Sequence, residues 1–412
     1  MHYVIIGASA AGISAAETLV RLDPDAEITV VSRETDIAYS RCLVTYYISG
    51  QISRDAVFIR TGEQLKALGV RFLAGTEAVG LDTEQKNITL SDSAVISYDR
   101  LLAASGASPV IPDIKGINGQ GVFTLRTIAD ADSIIAEIAE SKAVAVLGDG
   151  LVAVTAAMAL NKRGMRVSLV GIAPHILAGF LDRRAAGIIQ DRMAETGIRF
   201  YLGKSFSEVN RDAEGRLKGV TLSDGTSIEV DMTVIAVGVK PELKVFGETA
   251  AAAENGLLVD EYMETSIPGI YAAGDVAQAY DVVRNAPVWN PLWPHAVEQG
   301  RYAALNMAGR KVPYRGSTNM NSLNIGGIPL VCAGIANSEL PDYESFNVSD
   351  NNSTYEKLVF RNRKLAGFIL LGKTEKSGVL TSLVKHEITS PTQKDKLLRG
   401  HFSYTALTGP DH

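Results

Sequence analysis

Two distant stretches of this sequence follow one plan. Gly69-Val70-Arg71-Phe72 leads to Thr89-Leu90-Ser91-Asp92 and then to an apolar run closing at Ser105-Gly106, while Gly197-Ile198-Arg199-Phe200 leads to Thr221-Leu222-Ser223-Asp224 and closes at Val237-Gly238. Self-similarity on this scale marks duplicated supersecondary units. Ahead of each repeat stand a strand, a glycine-rich turn and a helix. The first set runs through residues 3–6, the turn Gly7-Ala8-Ser9-Ala10-Ala11-Gly12 and a helix to about Arg21, followed by a strand over 27–31. The second runs through 143–147, the turn Gly148-Asp149-Gly150-Leu151-Val152-Ala153, a helix to about Arg163 and a strand over 166–170. Strands alternating with helices on short connections imply a parallel sheet covered on its faces. The pattern predicts an α/β protein with two Rossmann-like domains. From about residue 312 the pattern changes, and short strands around 326–333 and 355–371 predict a third, smaller α+β domain.

The turns carry the chemistry. In the first, Gly7 permits a tight bend and Gly12 lets the helix pack on the strand, so a pyrophosphate can rest on the helix N-terminus. Ser9 takes the place of the middle glycine, but Ser9, Ala10 and Ala11 are small and the backbone N–H groups do most of the binding. Such a turn alone is weak evidence. Two further segments strengthen it: Ala103-Ala104-Ser105-Gly106-Ala107-Ser108-Pro109 closes the first repeat, and Thr265-Ser266-Ile267-Pro268-Gly269-Ile270-Tyr271-Ala272-Ala273-Gly274-Asp275 follows the second. The ribose partner due about 20 residues beyond the first turn falls near Ser32, Arg33 and Glu34, with Glu34 favoured. In the second turn Gly148 and Gly150 lead into Leu151 and Val152, with Ala153 in the third glycine position. There the second strand ends in Val170-Gly171, which offers neither the acid that reads an NAD ribose nor the arginine that reads NADP. Coenzyme choice is left open, with His175, Arg183 and Arg184 as nearby candidates and weak discrimination expected.

On these motifs, over residues 1 to about 310, the chain resembles the FAD-dependent pyridine-nucleotide oxidoreductases. Within them it resembles the single-cysteine NADH oxidase and coenzyme A disulfide reductase group, with the related rubredoxin reductases and nitrite-reductase-type flavin domains. The resemblance implies a glutathione-reductase-like arrangement: an FAD-binding domain from 1–113 and 244–312, an NAD(P)-binding domain over 114–243, and an interface domain over 313–412. It implies that Asp275, at a strand end and followed by a helix, accepts hydrogen bonds from the FAD ribityl chain, and that Ala104, Ser105 and Gly106 contact the nucleotide. Gly238 and Gly274, within the closing motifs, count as further cofactor contacts. Arg126 matches an arginine near the cofactor, with a surface ion pair as the alternative. The helix opened by Trp293-Pro294 is implied to face the pyrimidine edge of the flavin, its dipole favouring negative charge there. His295 is a proton relay or a capping residue, and Thr155 stands where relatives often carry glutamate.

In Tyr39-Ser40-Arg41-Cys42-Leu43-Val44-Thr45, Cys42 aligns with the single redox cysteine of that branch, although Thr45 replaces a frequent proline. A thiolate there, with its pKa lowered by Arg41 or a helix end, could attack a disulfide or persulfide; an inert, space-filling thiol is the alternative. Only one other cysteine exists, Cys332, expected in a core strand. Two thiols cannot by themselves hold an iron–sulfur cluster or zinc ribbon, so no metal is expected. A net charge of -6 argues against nucleic acid or a membrane as partner. The longest apolar stretch, 143–160, is broken at Gly148, Asp149 and Gly150, and no secretory signal opens the sequence, so a cytoplasmic protein is expected. The leading expectation is an FAD enzyme that takes hydride from NAD(P)H and reduces a small sulfur acceptor or oxygen through Cys42. Its rivals are an electron-transfer flavoprotein with a protein acceptor and a structural Cys42, and a nucleotide-binding regulatory subunit. The apolar strands 358–360 and 367–371 are expected to need outside cover, hence a homodimer or a place in a larger redox complex.

Overall fold

The computed structural model describes residues 1–247, 249, 255–337, 341–350, 354–386 and 397. Most of the expected interface domain beyond residue 386 therefore lies outside the described residues. The chain divides into two compact units, one built from 1–47, 52–108 and 239–317, the other from 48–51, 109–238 and the described part of 318–412.

In the first unit the strand His2–Ile6 pairs in parallel with Glu27–Ser32 on one side and Arg100–Ala103 on the other. Arg71–Ala74 and Ile270–Ala272 complete a five-stranded sheet at its two edges. Val4 and Ile5 are fully buried, as an unbroken apolar run requires when both faces of a parallel sheet are covered. The helix Ala10–Leu22 lays Ala11, Ala15, Ala16 and Leu19 into the core. Its partner Trp293–Met307 comes so close that a Cβ on Gly300 would lie 2.2 Å from the Ala11 carbonyl oxygen. Small residues on both helices make that approach possible.

The second unit repeats the plan. Ala143–Leu147, buried at all five positions, pairs in parallel with Arg166–Gly171 and Met232–Ile235, and Arg199–Leu202 and Val122–Thr124 form the edges. In both sheets the strand that feeds the glycine turn sits where the strand order reverses, which opens a crevice at the carboxyl ends of the strands. The duplicated Thr-Leu-Ser-Asp segments fall in matching places: each closes the middle strand of a three-stranded antiparallel sheet, Asn87–Leu90 in one and Leu217–Leu222 in the other.

Within the same unit the C-terminal part is a five-stranded antiparallel sheet, in the order Met320–Ile325, Ile328–Gly334, Lys364–Leu371, Tyr355–Arg361, Tyr343–Asp350. The helix Ser377–His386 buries Leu380, Leu383 and Val384. The edge strand Tyr343–Asp350 pairs with Tyr355–Arg361 through a register shift between Asn347 and Ser349. One expectation changes here. The apolar strands need no outside cover: Leu358, Phe360, Phe368 and Leu370 are buried within the chain itself. Asp182, which caps the helix Arg183–Ala194, ties that helix to this sheet by accepting from Lys357 Nζ at 2.9 Å and Tyr355 Oη at 2.7 Å.

Candidate functional site: two nucleotide turns

The helices differ in how their first N–H groups are satisfied. Gly62–Ala67, Ile128–Ile138 and Arg183–Ala194 are capped by the side chains of Thr61, Thr127 and Asp182. Ala10–Leu22, Leu151–Lys162 and Trp293–Met307 receive no side-chain cap and carry no acidic residue in their first turns. Ser9 sits at the cap position of the first of these without using its hydroxyl for it. An uncapped N-terminus presents several free donors and the positive end of the helix dipole. Among the α-helices whose caps are described, the three left open are those that follow the two glycine turns and Leu292.

The first turn is shaped by backbone crowding. Gly7 has φ +116, and a Cβ there would meet the Ala104 carbonyl oxygen at 2.0 Å; one on Gly12 would meet the Gly7 oxygen at 1.8 Å. The Ala104 N–H in turn donates to the Ile6 carbonyl at 2.8 Å, and Ala273 donates to Ala103 at 3.0 Å, so the motif segments around Gly7, Ala104 and Gly274 meet at one sheet end. Gly274, at φ +78, donates its N–H to Gln299 Oε1 at 2.8 Å. Ser105 Oγ donates to the Glu242 carbonyl at 2.9 Å, and Gly106 accepts from the Glu242 N–H at 2.9 Å. Asp275 stands in the turn after Ile270–Ala272, but the expected helix does not follow it. A strand does, Ala277–Asp281, paired with Ala286–Trp289, because Ala277, Ala279 and Asp281 bury on a two-residue period. Trp289 Nε1 pins the turn by donating to the Asp275 carbonyl at 2.7 Å.

The cysteine segment joins the same corner. Ala38, buried at φ 57, donates its N–H to the Ala8 carbonyl at 3.0 Å, which ties the chain leading to Cys42 onto the first glycine turn. Cys42 lies on the short 3-10 helix Arg41–Leu43 and is exposed. Arg41 forms an ion pair with Glu34 and donates to Tyr39 Oη at 3.0 Å. Burial would lower the Arg41 pKa, but the fields of Tyr39, Glu34 and Asp275 outweigh it and raise it. Arg41 and Glu34, read from the sequence as a thiol activator and a ribose partner, thus hold one another. Ser32 accepts the Glu34 N–H at 3.2 Å. Arg33 pairs with Glu242 at 3.1 Å and donates to Ser108 Oγ at 3.1 Å. Burial would raise the Glu242 carboxyl, yet the Ser108 and Arg33 bonds overcome it and hold it below its ordinary value. Sequence reasoning missed Glu242, whose role depends on a return of the chain after the second repeat.

In the second unit Gly148 has φ +138, and a Cβ there would meet the Ala236 oxygen at 2.3 Å. Gly150 occupies the cap position of the helix that begins Leu151-Val152 without a side chain to fill it, while Gly238, at φ +123, accepts from the Val110 N–H at 3.0 Å. Arg126 belongs to this unit; its N–H donates to Asp130 in the capping arrangement of Ile128–Ile138. Thr155 turns its hydroxyl back to the Leu151 carbonyl at 2.9 Å. His175 is buried, with Nδ1 3.0 Å from the Ile176 carbonyl oxygen, while Arg183 and Arg184 are exposed. Cys332 is buried and its thiol is pushed up to about 12 by that burial, which makes it a packing residue. Among the described residues no group of His, Cys, Asp and Glu could hold a metal ion, and no helix is long and apolar enough to cross a membrane.

Two glycine turns, each at the switch point of its own parallel sheet, define the class of two-dinucleotide oxidoreductases. The chain belongs to the pyridine nucleotide-disulphide oxidoreductase family, whose model matches residues 1–300, and residues 320–388 match the rubredoxin NAD+ reductase C-terminal domain. FAD and a nicotinamide coenzyme are the cofactors of this class, and both glycine turns, crowded by backbone at Gly7, Gly12 and Gly148 and open above Gly150, fit them. The chain is 30% identical over 404 residues to the nitrite reductase [NAD(P)H] of Bacillus subtilis, covering 96% of this chain and 49% of that protein. It thus spans about half that relative's length. It is 33% identical over 344 residues to the NADH oxidase of Methanocaldococcus jannaschii, covering 81% of this chain and 76% of that one. The crystal structure of NADH:rubredoxin oxidoreductase from Clostridium acetobutylicum superposes with a TM-score of 0.78 at 25% identity, covering 97% of this chain and 99% of that one.

Proposed function

We propose that this chain oxidises NAD(P)H through FAD and passes the electrons to a small sulfur acceptor or oxygen by way of Cys42. The observation that carries the reading is the set of three open helix ends, two of them on glycine turns crowded by backbone at Gly7, Gly12 and Gly148. The backbone N–H groups at the start of Ala10–Leu22 hold the FAD pyrophosphate, Asp275 holds the ribityl hydroxyls, and Ala104, Ser105 and Gly106 line the nucleotide. The start of Leu151–Lys162 holds the coenzyme pyrophosphate. The N-terminus of Trp293–Met307 favours negative charge placed against it. Bound FAD supplies two-electron acceptance from the coenzyme and delivery onward. The exposed Cys42 thiol, on a segment anchored to the first turn, serves as the nucleophile toward a disulfide or persulfide. A nicotinamide-driven reaction of this kind belongs in the cytoplasm.

A second reading rests on the C-terminal match to the rubredoxin reductase domain: the acceptor is a protein and Cys42 is structural, without a part in the chemistry. In either case a homodimer or a place in a larger redox complex is proposed from family likeness, since apolar exposure of the C-terminal strands does not supply the reason. Cys42→Ser separates the acceptors. Under the first reading flavin reduction by NAD(P)H persists while turnover with disulfides and persulfides falls by at least about a hundredfold, since a hydroxyl is a poor substitute for a thiolate. Unchanged turnover in a fully FAD-loaded variant overturns it in favour of the protein acceptor.

A further inference from the structure

We propose that Asp149, from within the second glycine turn, supplies the carboxylate that the end of the strand Arg166–Gly171 lacks, and thereby reads the adenosine ribose and selects NADH over NADPH. The proposal rests on the second unit being the coenzyme site. In a parallel-sheet nucleotide site the ribose hydroxyls are recognised by an acid at the end of the second strand. Gly171 stands there without a side chain, but its side-chain space is not empty. A Cβ on Gly171 would lie 2.6 Å from Asp149 Cβ and 2.8 Å from Asp149 Oδ2. The glycine is what lets the aspartate cross from one strand end to the next.

The carboxylate is also held in place. Its Oδ2 accepts the Ala173 N–H at 2.9 Å, and the Asp149 carbonyl accepts from Leu177 at 2.7 Å. Among the described residues Oδ1 has no hydrogen-bond partner and Asp149 has no salt bridge. The cation on the adjacent strand connection, Lys204, is already paired with Asp224 at 2.5 Å and stacked over Tyr201. One anchored oxygen and one open oxygen suit a hydroxyl donor. A 2′-phosphate would instead bring its negative charge against an uncompensated carboxylate, a built-in rejection of NADPH. Ile172, 76% exposed beside Gly171, offers an apolar flank for the adenine ring. The charge that seemed missing is supplied by a residue that a count along the second strand does not reach.

Calorimetric titration of the FAD-loaded protein with ADP-ribose and with 2′-phospho-ADP-ribose tests this without relying on turnover. The unmodified protein is expected to bind ADP-ribose at least about tenfold more tightly, and Asp149→Asn, which keeps an acceptor for Ala173, to bring the two within about threefold. The double variant Asp149→Gly, Gly171→Asp returns the acid to the strand end and is expected to restore the preference. An unchanged ratio in Asp149→Asn, or tighter binding of the phosphorylated ligand by the unmodified protein, overturns the proposal while leaving the coenzyme site intact. Failure of the unmodified protein to bind either ligand overturns the coenzyme-site reading, and this proposal with it.

Discussion

Gly12 has the least room of any residue in the first nucleotide turn, since a Cβ there would lie 1.8 Å from the Gly7 oxygen and 3.3 Å from Ile5 Cγ2. Gly12→Ala is expected to lose stoichiometric FAD and to cost about 1–3 kcal/mol of stability by overpacking. Ser9→Ala, which removes a hydroxyl that caps nothing, is expected to change stability by less than about 0.5 kcal/mol. Flavin absorbance per chain and urea unfolding of the pair measure both effects; equal FAD loading in Gly12→Ala would contradict the crowding argument. At this scale the sequence was readable where function depends on the backbone, because a glycine spacing is visible in one dimension. It was not readable where a side chain crosses between elements. Asp149 reaching Gly171, Arg41 pairing with Glu34 and Glu242 returning to Arg33 and Ser108 are tertiary facts without a local signal.

Among elements, one carboxylate joins the helix Arg183–Ala194 to the antiparallel sheet, alongside the Arg192 bond to the Gly326 carbonyl. Burial would raise the Asp182 pKa, but the Ala185 N–H and the Lys357 and Tyr355 groups overcome it and hold it below its ordinary value. A carboxyl depressed in the folded state contributes stability above its unfolded pKa and loses it as pH falls through the folded one. The Asp182 share should therefore be whole at neutral pH and decline below about pH 4. Lys357→Met leaves a part-buried carboxylate without its cation and is expected to cost about 3 kcal/mol at neutral pH. That cost should shrink in acid, and urea unfolding across pH reads it; a cost independent of pH would contradict the assignment. Strand and helix positions at both turns were legible from the unbroken apolar runs and the glycine spacing that follows them. The strand after Asp275 and the edge strand Tyr343–Asp350 were not, the first because its alanines suit either element, the second because its residues are mostly polar.

For the whole molecule, the duplicated units predicted two parallel sheets, and both are present with matching strand order. What the sequence misjudged was the C-terminal sheet, whose apolar strands cover themselves. Association through that domain is accordingly expected to be modest, with sedimentation at micromolar concentration resolving a dimer or a co-purifying partner; a monodisperse monomer with no partner would remove that part of the proposal. The central claim is that one chain binds both dinucleotides and moves electrons between them. Anaerobic titration of the FAD-loaded protein with NADH, followed by flavin absorbance, tests it most directly. Bleaching complete at about one equivalent of NADH per FAD is expected, since a hydride carries both electrons the flavin accepts. Flavin that stays oxidised under excess NADH and NADPH, yet bleaches with dithionite, would contradict it.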